Sequence, residues 1–235
     1  MQAILRQGLA AQGLDETKAE PLEAFARAVL EKNKVMNLTA ITDDADFARL
    51  HLLDSAALLN VADFGGKRVV DVGTGAGFPG VPLRILCPDV RMTLLDSTGK
   101  RIDFLRETCN QLGLTGLDFV HARAEEFAAE HRESFDLAVS RAVAALPVLC
   151  ELCLPLVKVG GQFLAMKSAR SDEELEGAMD AITTLGGRLA DVVDYPIPDS
   201  DVTHRVIVID KADRTPPRYP RAFGKIKKAP CRSTT

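Results

Sequence analysis

The order of apolar and polar positions divides the chain into a helical first part and a longer part in which strands and helices alternate. In the first part, Leu22, Phe25 and Val29 recur at the spacing of one helix face, and the same pattern returns from Phe47 onward. A polar stretch with residues suited to capping separates the two patterns. Residues 1–63 are therefore predicted to form a small helical cap.

From Lys67 onward, short apolar runs predict a series of strands. They lie at Arg68–Val72, Met92–Leu95, Leu117–His121, Phe135–Ser140, Gln162–Met166, Leu189–Tyr195 and Arg205–Ile209. Helices are predicted between them at residues 79–86, 99–112, 124–131, 144–157 and 171–185. This alternation is typical of a doubly wound parallel sheet with right-handed crossovers. Only a short loop joins the last two strands, so they are expected to pair antiparallel at the sheet edge.

These patterns predict an α/β, Rossmann-like fold with a seven-stranded, mostly parallel sheet, an antiparallel edge strand and an N-terminal helical extension. The net charge of −4 is unevenly spread, because all 33 acidic residues precede residue 214. Seven cations follow, namely Arg214, Arg218, Arg221, Lys225, Lys227, Lys228 and Arg232. We therefore expect a helical cap (1–63), an α/β domain (64–213) and a basic tail (214–235). A polyanionic partner and a merely solvated tail explain this charge equally well.

The composition limits where the protein acts. Hydrophobic residues make up 46% and charged residues 26% of the chain, as in soluble globular proteins. There is no run of eighteen apolar residues and no signal-like N-terminus, so neither a membrane span nor secretion is expected. Five cysteines without a framework spacing favour a reducing cytoplasm. Cys150 and Cys153 lie in an apolar run, which predicts core packing rather than a metal site, and we expect a monomer.

A glycine-rich loop follows the first predicted strand directly, in the run Asp71-Val-Gly-Thr-Gly-Ala-Gly-Phe78. In open α/β sheets, ligands bind beyond the carboxyl ends of the strands, and glycines let the backbone approach them closely. Asp71 is placed to attract a cationic group, and Asp96, which ends the second strand, is placed to accept ribose hydroxyls. Together with Gly73 and Gly75, these carboxylates favour S-adenosylmethionine as the cofactor.

Other interpretations of this loop stay open. Residues 75–80 also match the dinucleotide pattern G-x-G-x-x-G, with Asp96 about twenty residues further on, which would suit a nicotinamide-dependent oxidoreductase. Against this, Asp71 would repel a pyrophosphate, and the chain leaves little room for a separate substrate domain. A glycine loop alone can be a tight turn. A methyltransferase acting on a small molecule or a protein, and a non-catalytic assembly factor, also fit.

Two further strand ends are expected to border the same site. Ala124 and Glu125 follow the third strand, where backbone N–H groups and a carboxylate could meet an adenine edge. These residues would equally suit a helix start, because acidic side chains stabilise helix N-termini. Arg141 ends the fourth, apolar strand, a position that favours a functional arginine over a surface one.

The motifs in combination resemble one family. They are Asn37-Leu-Thr39-Ala-Ile41, His51-Leu-Leu-Asp54-Ser55, Val70–Gly80, Leu94-Leu-Asp96-Ser97, Lys100-Arg101, Ala122–Glu126, Ser140-Arg141-Ala142 and Tyr219-Pro-Arg221. The glycine motif alone is common to many methyltransferases, whereas the others are more specific. The chain resembles the bacterial 16S ribosomal RNA guanosine-N7 methyltransferases, also called the RsmG or glucose-inhibited division protein B (GidB) family, along nearly its whole length.

This resemblance implies a class I S-adenosylmethionine methyltransferase fold. The reaction would be methyl transfer to N7 of one guanosine, number 527, of 16S RNA in the small ribosomal subunit. The residues expected at the cofactor, by resemblance or by the loop pattern, are Asp71, Gly73, Gly75, Phe78, Asp96, Ala124, Glu125 and Arg141. The residues expected at the RNA are Lys100, Arg101, Lys167, Arg218 and Arg221.

The reaction explains why no catalytic acid or base stands out. N7 of guanine carries a free lone pair, so it can accept a methyl group without losing a proton. His121 and His204 are accordingly expected to be packed or surface residues, and no metal is expected. Positioning and electrostatics would supply the rate enhancement, with Arg141 as the one candidate for a catalytic role.

Overall fold

The computed structural model describes residues 1–231, and it begins with the predicted helices. These are α1 (Gln2–Ala11), α2 (Ala19–Met36), α3 (Asp44–Phe47), a π-helical stretch (Ala48–Leu53) and α4 (Asp54–Ala56), with 3₁₀ turns at Glu16–Lys18 and Ala57–Asn60. Helix α2 buries one face through Leu22, Phe25 and Val29, as the periodicity predicts. It ends where Asn37 adopts a left-handed backbone with φ 50°.

The alternating part contains strands and helices in the predicted order. They are β1 (Arg68–Val72), α5 (Gly80–Leu86), β2 (Arg91–Asp96), α6 (Gly99–Gln111), β3 (Leu117–His121), α7 (Ala124–Glu130), β4 (Phe135–Arg141), α8 (Leu146–Cys153), β5 (Val157–Ser168), α9 (Asp172–Glu176), α10 (Met179–Thr184), β6 (Gly187–Pro196) and β7 (Thr203–Lys211). A 3₁₀ turn at Leu154–Leu156 follows α8. The helix predicted at 171–185 is two short helices.

The seven strands within the described residues form one sheet in the order β3-β2-β1-β4-β5-β7-β6. Strands β1 to β5 pair in parallel, and β7 runs antiparallel to both β5 and β6. The antiparallel pair at the edge is thus confirmed, with β6 outermost. Strands β2 and β3 follow β1 on one side of the sheet, whereas β4 and β5 lie on its other side. The carboxyl ends of β1 and β4 therefore flank the switch point at which such sheets bind ligands.

The two faces of the sheet are covered by different helices. Val69 points to one face and Val70 to the other, as the alternation of a strand requires. The N-terminal helices and α5 and α6 share the core on the Val69 face, so the N-terminal part packs on the sheet directly. Helices α7, α8 and α10 cover the Val70 face. Cys150 and Cys153 are buried there in α8, which confirms core packing for this pair.

Part of the basic tail packs on the Val70 face, which neither interpretation of its charge predicts. Tyr219, Ile226 and Cys231 are buried, and Ile226 belongs to the short helix α11 (Phe223–Lys228). Arg132 ties the segment down by donating to the carbonyl oxygen of Tyr219 at 2.7 Å and to that of Thr215. The cation at position 232 lies outside the described residues.

Across residues 1–231, none of the helices is both long enough and apolar enough to span a bilayer. The same part of the chain brings no three His, Cys, Asp or Glu side chains together as a metal-binding group.

Candidate functional site

The glycine loop after β1 adopts a backbone that requires glycine. Gly73, Gly75 and Gly77 have φ angles of 74°, 59° and 98°. A Cβ atom on Gly77 would lie 2.8–2.9 Å from three buried side chains, and one on Gly73 would lie 2.4 Å from Val143. A Cβ on Gly75 would meet no atom of the described residues nearer than 3.9 Å, so the space beside this residue is open. The loop therefore leaves room for a ligand above Gly75.

Asp71 lies beneath this loop and shapes it. The carboxylate is fully buried, and its Oδ2 accepts hydrogen bonds from the Thr74 hydroxyl at 2.7 Å and the Gly80 N–H at 2.9 Å. Burial raises the pKa of Asp71 to about 6, although both hydrogen bonds oppose the rise. Its Oδ1 has no hydrogen-bond partner among the described residues. Asp71 therefore holds the loop and the start of α5, and its attraction of the ligand stays a prediction.

Asp96 lies at the end of β2, and two backbone N–H groups fix its carboxylate. Its Oδ2 accepts from the Gly75 N–H at 3.0 Å and its Oδ1 from the Thr98 N–H at 2.8 Å. Arg101 lies 3.6 Å from Oδ2. Each carboxylate oxygen has a second lone pair, so Asp96 can still accept hydroxyl groups such as those of a ribose.

Two adjoining cavities flank Asp96. Cavity A has a volume of about 400 Å³ and is lined by Leu38, Thr39, His51, Gly73, Thr74, Gly75, Ala76, Phe78, Asp96, Ser97, Arg101, Arg141, Ala142 and Val143. Cavity B has a volume of about 300 Å³ and is lined by Val72, Gly73, Leu95, Asp96, Ser97, Ala122, Arg123, Ala124, Glu125, Val143, Leu152 and Phe223. Gly73, Asp96, Ser97 and Val143 line both, so the cavities form one elongated site centred on Asp96.

The structure brings seven of the eight predicted cofactor residues to these cavities. Gly75, Phe78 and Arg141 line cavity A, Ala124 and Glu125 line cavity B, and Gly73 and Asp96 line both. Asp71 lines neither of them. The contacts these residues make with a cofactor stay a prediction, but their grouping follows from the parallel sheet, whose carboxyl ends meet at one edge.

Arg141 belongs to a buried polar network that sequence reasoning missed. It donates to Asp54 Oδ2 at 2.8 Å and to His51 Nδ1 at 3.1 Å, and its guanidinium lies 5.1 Å from the centre of the Phe78 ring. Asp54 Oδ1 accepts from the Tyr195 hydroxyl and from His204 Nδ1, each at 2.7 Å. A carboxylate with 1% exposure thus fixes three side chains that come from β4, β6 and β7.

The protonation of this network follows from its contacts. Burial and the charge of Arg141 lower the pKa of His51 to about 3, so its ring is neutral. Since Nδ1 accepts from Arg141, the proton sits on Nε2 and is donated to the Thr39 hydroxyl at 2.8 Å. Burial alone would raise the pKa of Asp54, but the hydrogen bond from His204 and the charge of Arg141 outweigh it and lower that pKa.

The predicted RNA residues lie in different settings. Lys100 is exposed on α6, and Arg101 lines cavity A. Lys167 is only 10% exposed and is held by Glu174 at 2.5 Å. Arg218 is exposed beside the Tyr219 ring, whereas Arg221 is paired with the fully buried Glu151 at 2.6 Å. Arg221 therefore fixes the C-terminal segment to α8, and its contact with RNA stays a prediction.

Phe223 is a second residue that the sequence did not single out. It begins α11 and lines cavity B, where the Arg123 guanidinium lies 4.3 Å from the centre of its ring. Arg123 also pairs with Glu125 at 2.8 Å. The folded C-terminal segment thus supplies one wall of cavity B. The spacing of Tyr219, Phe223 and Ile226 was a usable signal, because these apolar residues recur at helical intervals among the cations.

Two substitutions separate the possible roles of Asp71. Asp71→Asn keeps an oxygen for Thr74 and Gly80 and removes the buried charge, so its stability at pH 7 should equal or exceed the parent's. Asp71→Ala leaves two buried donors unpaired and should cost about 1–3 kcal/mol. We expect calorimetry to show near-parental S-adenosylmethionine affinity for Asp71→Asn and weaker binding for Asp71→Ala. Equal losses in both would show that Asp71 acts through its charge on the ligand.

The chain matches a family model over residues 18–201, and that model describes rRNA small subunit methyltransferase G, the GidB family. Proteins named ribosomal RNA small subunit methyltransferase G are similar over nearly the whole length. The one from Alkaliphilus oremlandii is 46% identical over 234 residues, covering 97% of each chain. The one from Staphylococcus epidermidis is 44% identical over 230 residues, covering 96% of each chain.

Solved structures share the fold at lower sequence identity. TrmN from Thermus thermophilus superposes with a TM-score of 0.54 at 24% identity, over 68% of this chain and 48% of that one. The 1,6-didemethyltoxoflavin-N1-methyltransferase of Burkholderia thailandensis, solved with S-adenosylhomocysteine, superposes with a TM-score of 0.56 at 15% identity, over 80% of this chain and 89% of that one. The predicted class I methyltransferase fold is thereby confirmed.

Proposed function

The chain belongs to the rRNA small subunit methyltransferase G (GidB) family, and we propose that it transfers the methyl group of S-adenosylmethionine to N7 of a single guanosine in 16S RNA. The family membership supports the enzyme class and the RNA. The observation that carries the site is the grouping of Gly73, Gly75 and Asp96 around one elongated space at the switch point of the sheet.

The residues around this space fit such a cofactor. Asp96 would accept the ribose hydroxyls at the junction of the two cavities, because its oxygens keep free lone pairs. Ala124, Glu125 and Phe223 would border the adenine in cavity B, where an aromatic ring offers a stacking face. Gly73 and Gly75 would lie along the methionine half in cavity A, which a side chain at Gly75 would fill.

The chain's own residues position the reactants rather than move protons. When bound, S-adenosylmethionine supplies a methyl group on a sulfonium, which the lone pair of guanine N7 can attack without losing a proton. His51 cannot serve as a base, because Nδ1 accepts from Arg141 and Nε2 donates to Thr39. Arg141 is held by Asp54 and stacks on Phe78, so it forms a fixed cationic wall of cavity A.

A deletion strain tests the proposal in its native setting. Loss of the gene should abolish N7 methylation of one guanosine in 16S RNA, read by cleavage of the RNA chain at N7-methylated guanosines. The parental gene should restore the cleavage, and the Gly75→Val variant should not. A 16S RNA with an unchanged cleavage pattern would rule out this substrate and favour a small-molecule or protein methyltransferase.

We expect different residues of the C-terminal segment to affect cofactor binding and RNA binding. Phe223→Ala should weaken S-adenosylmethionine binding by roughly tenfold, because a stacked aromatic contributes about 0.5–1.5 kcal/mol beyond its area. Replacing Lys225, Lys227 and Lys228 with glutamine should leave that affinity unchanged and reduce the salt dependence of RNA binding, by about 0.7 in slope for each lost phosphate contact.

For both variants, calorimetry measures S-adenosylmethionine affinity and RNA titrations over a series of salt concentrations measure RNA affinity and its salt dependence. Thermal melts confirm that both variants fold. Truncation after Asp213 is unsuitable, since it would remove the buried side chains of Tyr219 and Ile226. An unchanged RNA affinity and slope in the triple variant would show that these lysines are simply solvated.

A further inference from the structure

The loop between β4 and α8, residues 142–145, borders both cavities of the candidate site. Within residues 1–231, four residues line cavity A and cavity B together, and Val143 is the one among them with an apolar side chain. A Cβ atom placed on Gly73 would lie 2.4 Å from Val143, so the valine side chain packs directly on this glycine. Val143 is nevertheless 41% exposed, which leaves apolar surface at the junction for a ligand to cover.

The backbone of this β4–α8 loop needs support from its surroundings. Ala142 has a φ of 56°, in the left-handed region that residues other than glycine rarely adopt. Such a backbone persists only where neighbouring contacts hold it in place. The contacts that anchor the loop therefore also determine where Val143 lies.

Two charged side chains anchor the loop near its end. Lys167 donates to the Ala144 carbonyl oxygen at 2.7 Å, and Glu174 accepts from the N–H of Leu146, the first residue of α8. Lys167 also donates to Glu174 at 2.5 Å. One oxygen of Glu174, Oε1, accepts both of its hydrogen bonds, so strand β5 and the start of α8 are joined through a single atom.

These two anchors are fixed by the sheet. Lys167 follows Ala165 by two positions in β5 and so lies on the Val70 face, the same face as α8. It lies directly opposite Arg205 in the β5–β7 pair, and opposed residues share a face. Arg205 pairs with Asp172 at 2.6 Å, which belongs to the same short helix, α9, as Glu174. Lys167 is only 10% exposed, so its ammonium group has a defined position.

We propose that Lys167 and Glu174 are positioning residues for S-adenosylmethionine, because they hold the β4–α8 loop so that Val143 forms an apolar wall where the two cavities join. This inference rests on the proposed function, and it gives Lys167 a role different from the RNA contact that the sequence predicts. The ribose assigned to Asp96 would lie at this junction, where contact with Val143 would exclude water. Lys167 and Glu174 act through the loop and need not touch the cofactor.

Calorimetry of S-adenosylmethionine binding in the absence of RNA tests this role. Lys167→Met, which removes the ammonium group, should weaken binding by about three- to tenfold. Val143→Ala should weaken it by a similar factor, because two methyl groups at the junction are lost. In the double variant the loss should stay close to the larger single loss, because both substitutions act on the same contact. Losses that simply multiply would show independent effects and would overturn the proposal.

Glu174 supplies a second pair of variants, which decides the question if Lys167→Met does not fold. Glu174→Gln keeps an oxygen that can accept from Lys167 and Leu146, so it should bind S-adenosylmethionine within about twofold of the parent. Glu174→Ala removes this acceptor and should lose as much affinity as Lys167→Met. The control Lys158→Met breaks a pair with Asp136 at the opposite end of β5 and should bind as the parent does. Chemical denaturation confirms folding.

The same measurements separate this role from the proposed function. Parental cofactor affinity in Lys167→Met, Glu174→Ala and Val143→Ala would overturn the positioning role, even if the parent methylates 16S RNA normally. A lysine that serves RNA alone would give that result, with RNA binding weakened in Lys167→Met only. Absence of methylation on 16S RNA by a parent that binds S-adenosylmethionine would instead overturn the proposed function.

Discussion

Replacing Gly75 with valine is expected to weaken S-adenosylmethionine binding by about ten- to hundredfold or more, because overfilling a shaped space typically costs 1–3 kcal/mol. Gly75 lines cavity A, and a Cβ at this position would lie 3.9 Å from the Gly73 carbonyl oxygen and no nearer to any other atom of the described residues. The valine side chain would therefore occupy ligand space. Calorimetric titration of the parent and the variant measures the loss.

Gly13 offers a matched control for this substitution. It has a φ of 70°, close to the 59° of Gly75, and a Cβ there would meet no atom of the described residues within 4 Å. Gly13→Val therefore carries a similar backbone strain at the end of α1, away from the cavities. We expect a comparable loss in melting temperature for both variants and a loss of cofactor affinity in Gly75→Val alone. If Gly75→Val binds S-adenosylmethionine as tightly as the parent, the loop is not part of the cofactor site.

Removing the carboxylate of Asp54 should strongly destabilise the fold. Asp54→Ala leaves Arg141 buried without its anionic partner and deprives Tyr195 and His204 of their acceptor. Breaking such a buried pair costs about 3–5 kcal/mol in the free energy of unfolding. Chemical denaturation measures this value. The isosteric Asp54→Asn should cost less, because an amide oxygen can still accept.

The pH dependence of this difference provides an independent check. The pKa of Asp54 is lower in the folded protein than in the unfolded chain, so its ionised form stabilises the fold fully above the unfolded value of about 3.9. This contribution is lost as the pH falls through the folded pKa. The stability gap between parent and Asp54→Asn should therefore narrow in acid. A gap that stays constant at low pH would show that the charge is unimportant.

The fold and most of the cofactor residues could be predicted from the sequence because their signals are local. Strands such as Arg68–Val72 are short apolar runs with clear ends, and a glycine loop at a strand end is visible in the chain. The direction in which the Asp71 side chain points could not be predicted from the sequence. Its distance from the first glycine is the same whether the side chain faces the ligand or lies beneath the loop, and only the tertiary structure shows the bonds to Thr74 and Gly80.

Long-range polar contacts could not be predicted in this way. Asp54 meets Arg141, Tyr195 and His204 across separations of 87 to 150 residues, and no periodicity encodes such contacts. The packing of the C-terminal segment could not be predicted from its charge either. The seven cations explain a polyanionic partner and a solvated tail equally well, and their charge does not reveal that the buried Glu151 holds Arg221 or that apolar residues between the cations pack on the sheet.

The most direct test of the proposed function uses the purified protein with 16S RNA and S-adenosylmethionine that carries a deuterated methyl group. Mass spectrometry of the digested RNA should find the label in N7-methylguanosine alone, at one labelled nucleotide per RNA molecule. Fragment mapping should place that nucleotide at guanosine 527. Label in another nucleoside, at another atom of guanosine, or nowhere in the RNA despite measurable cofactor binding would contradict the proposed function.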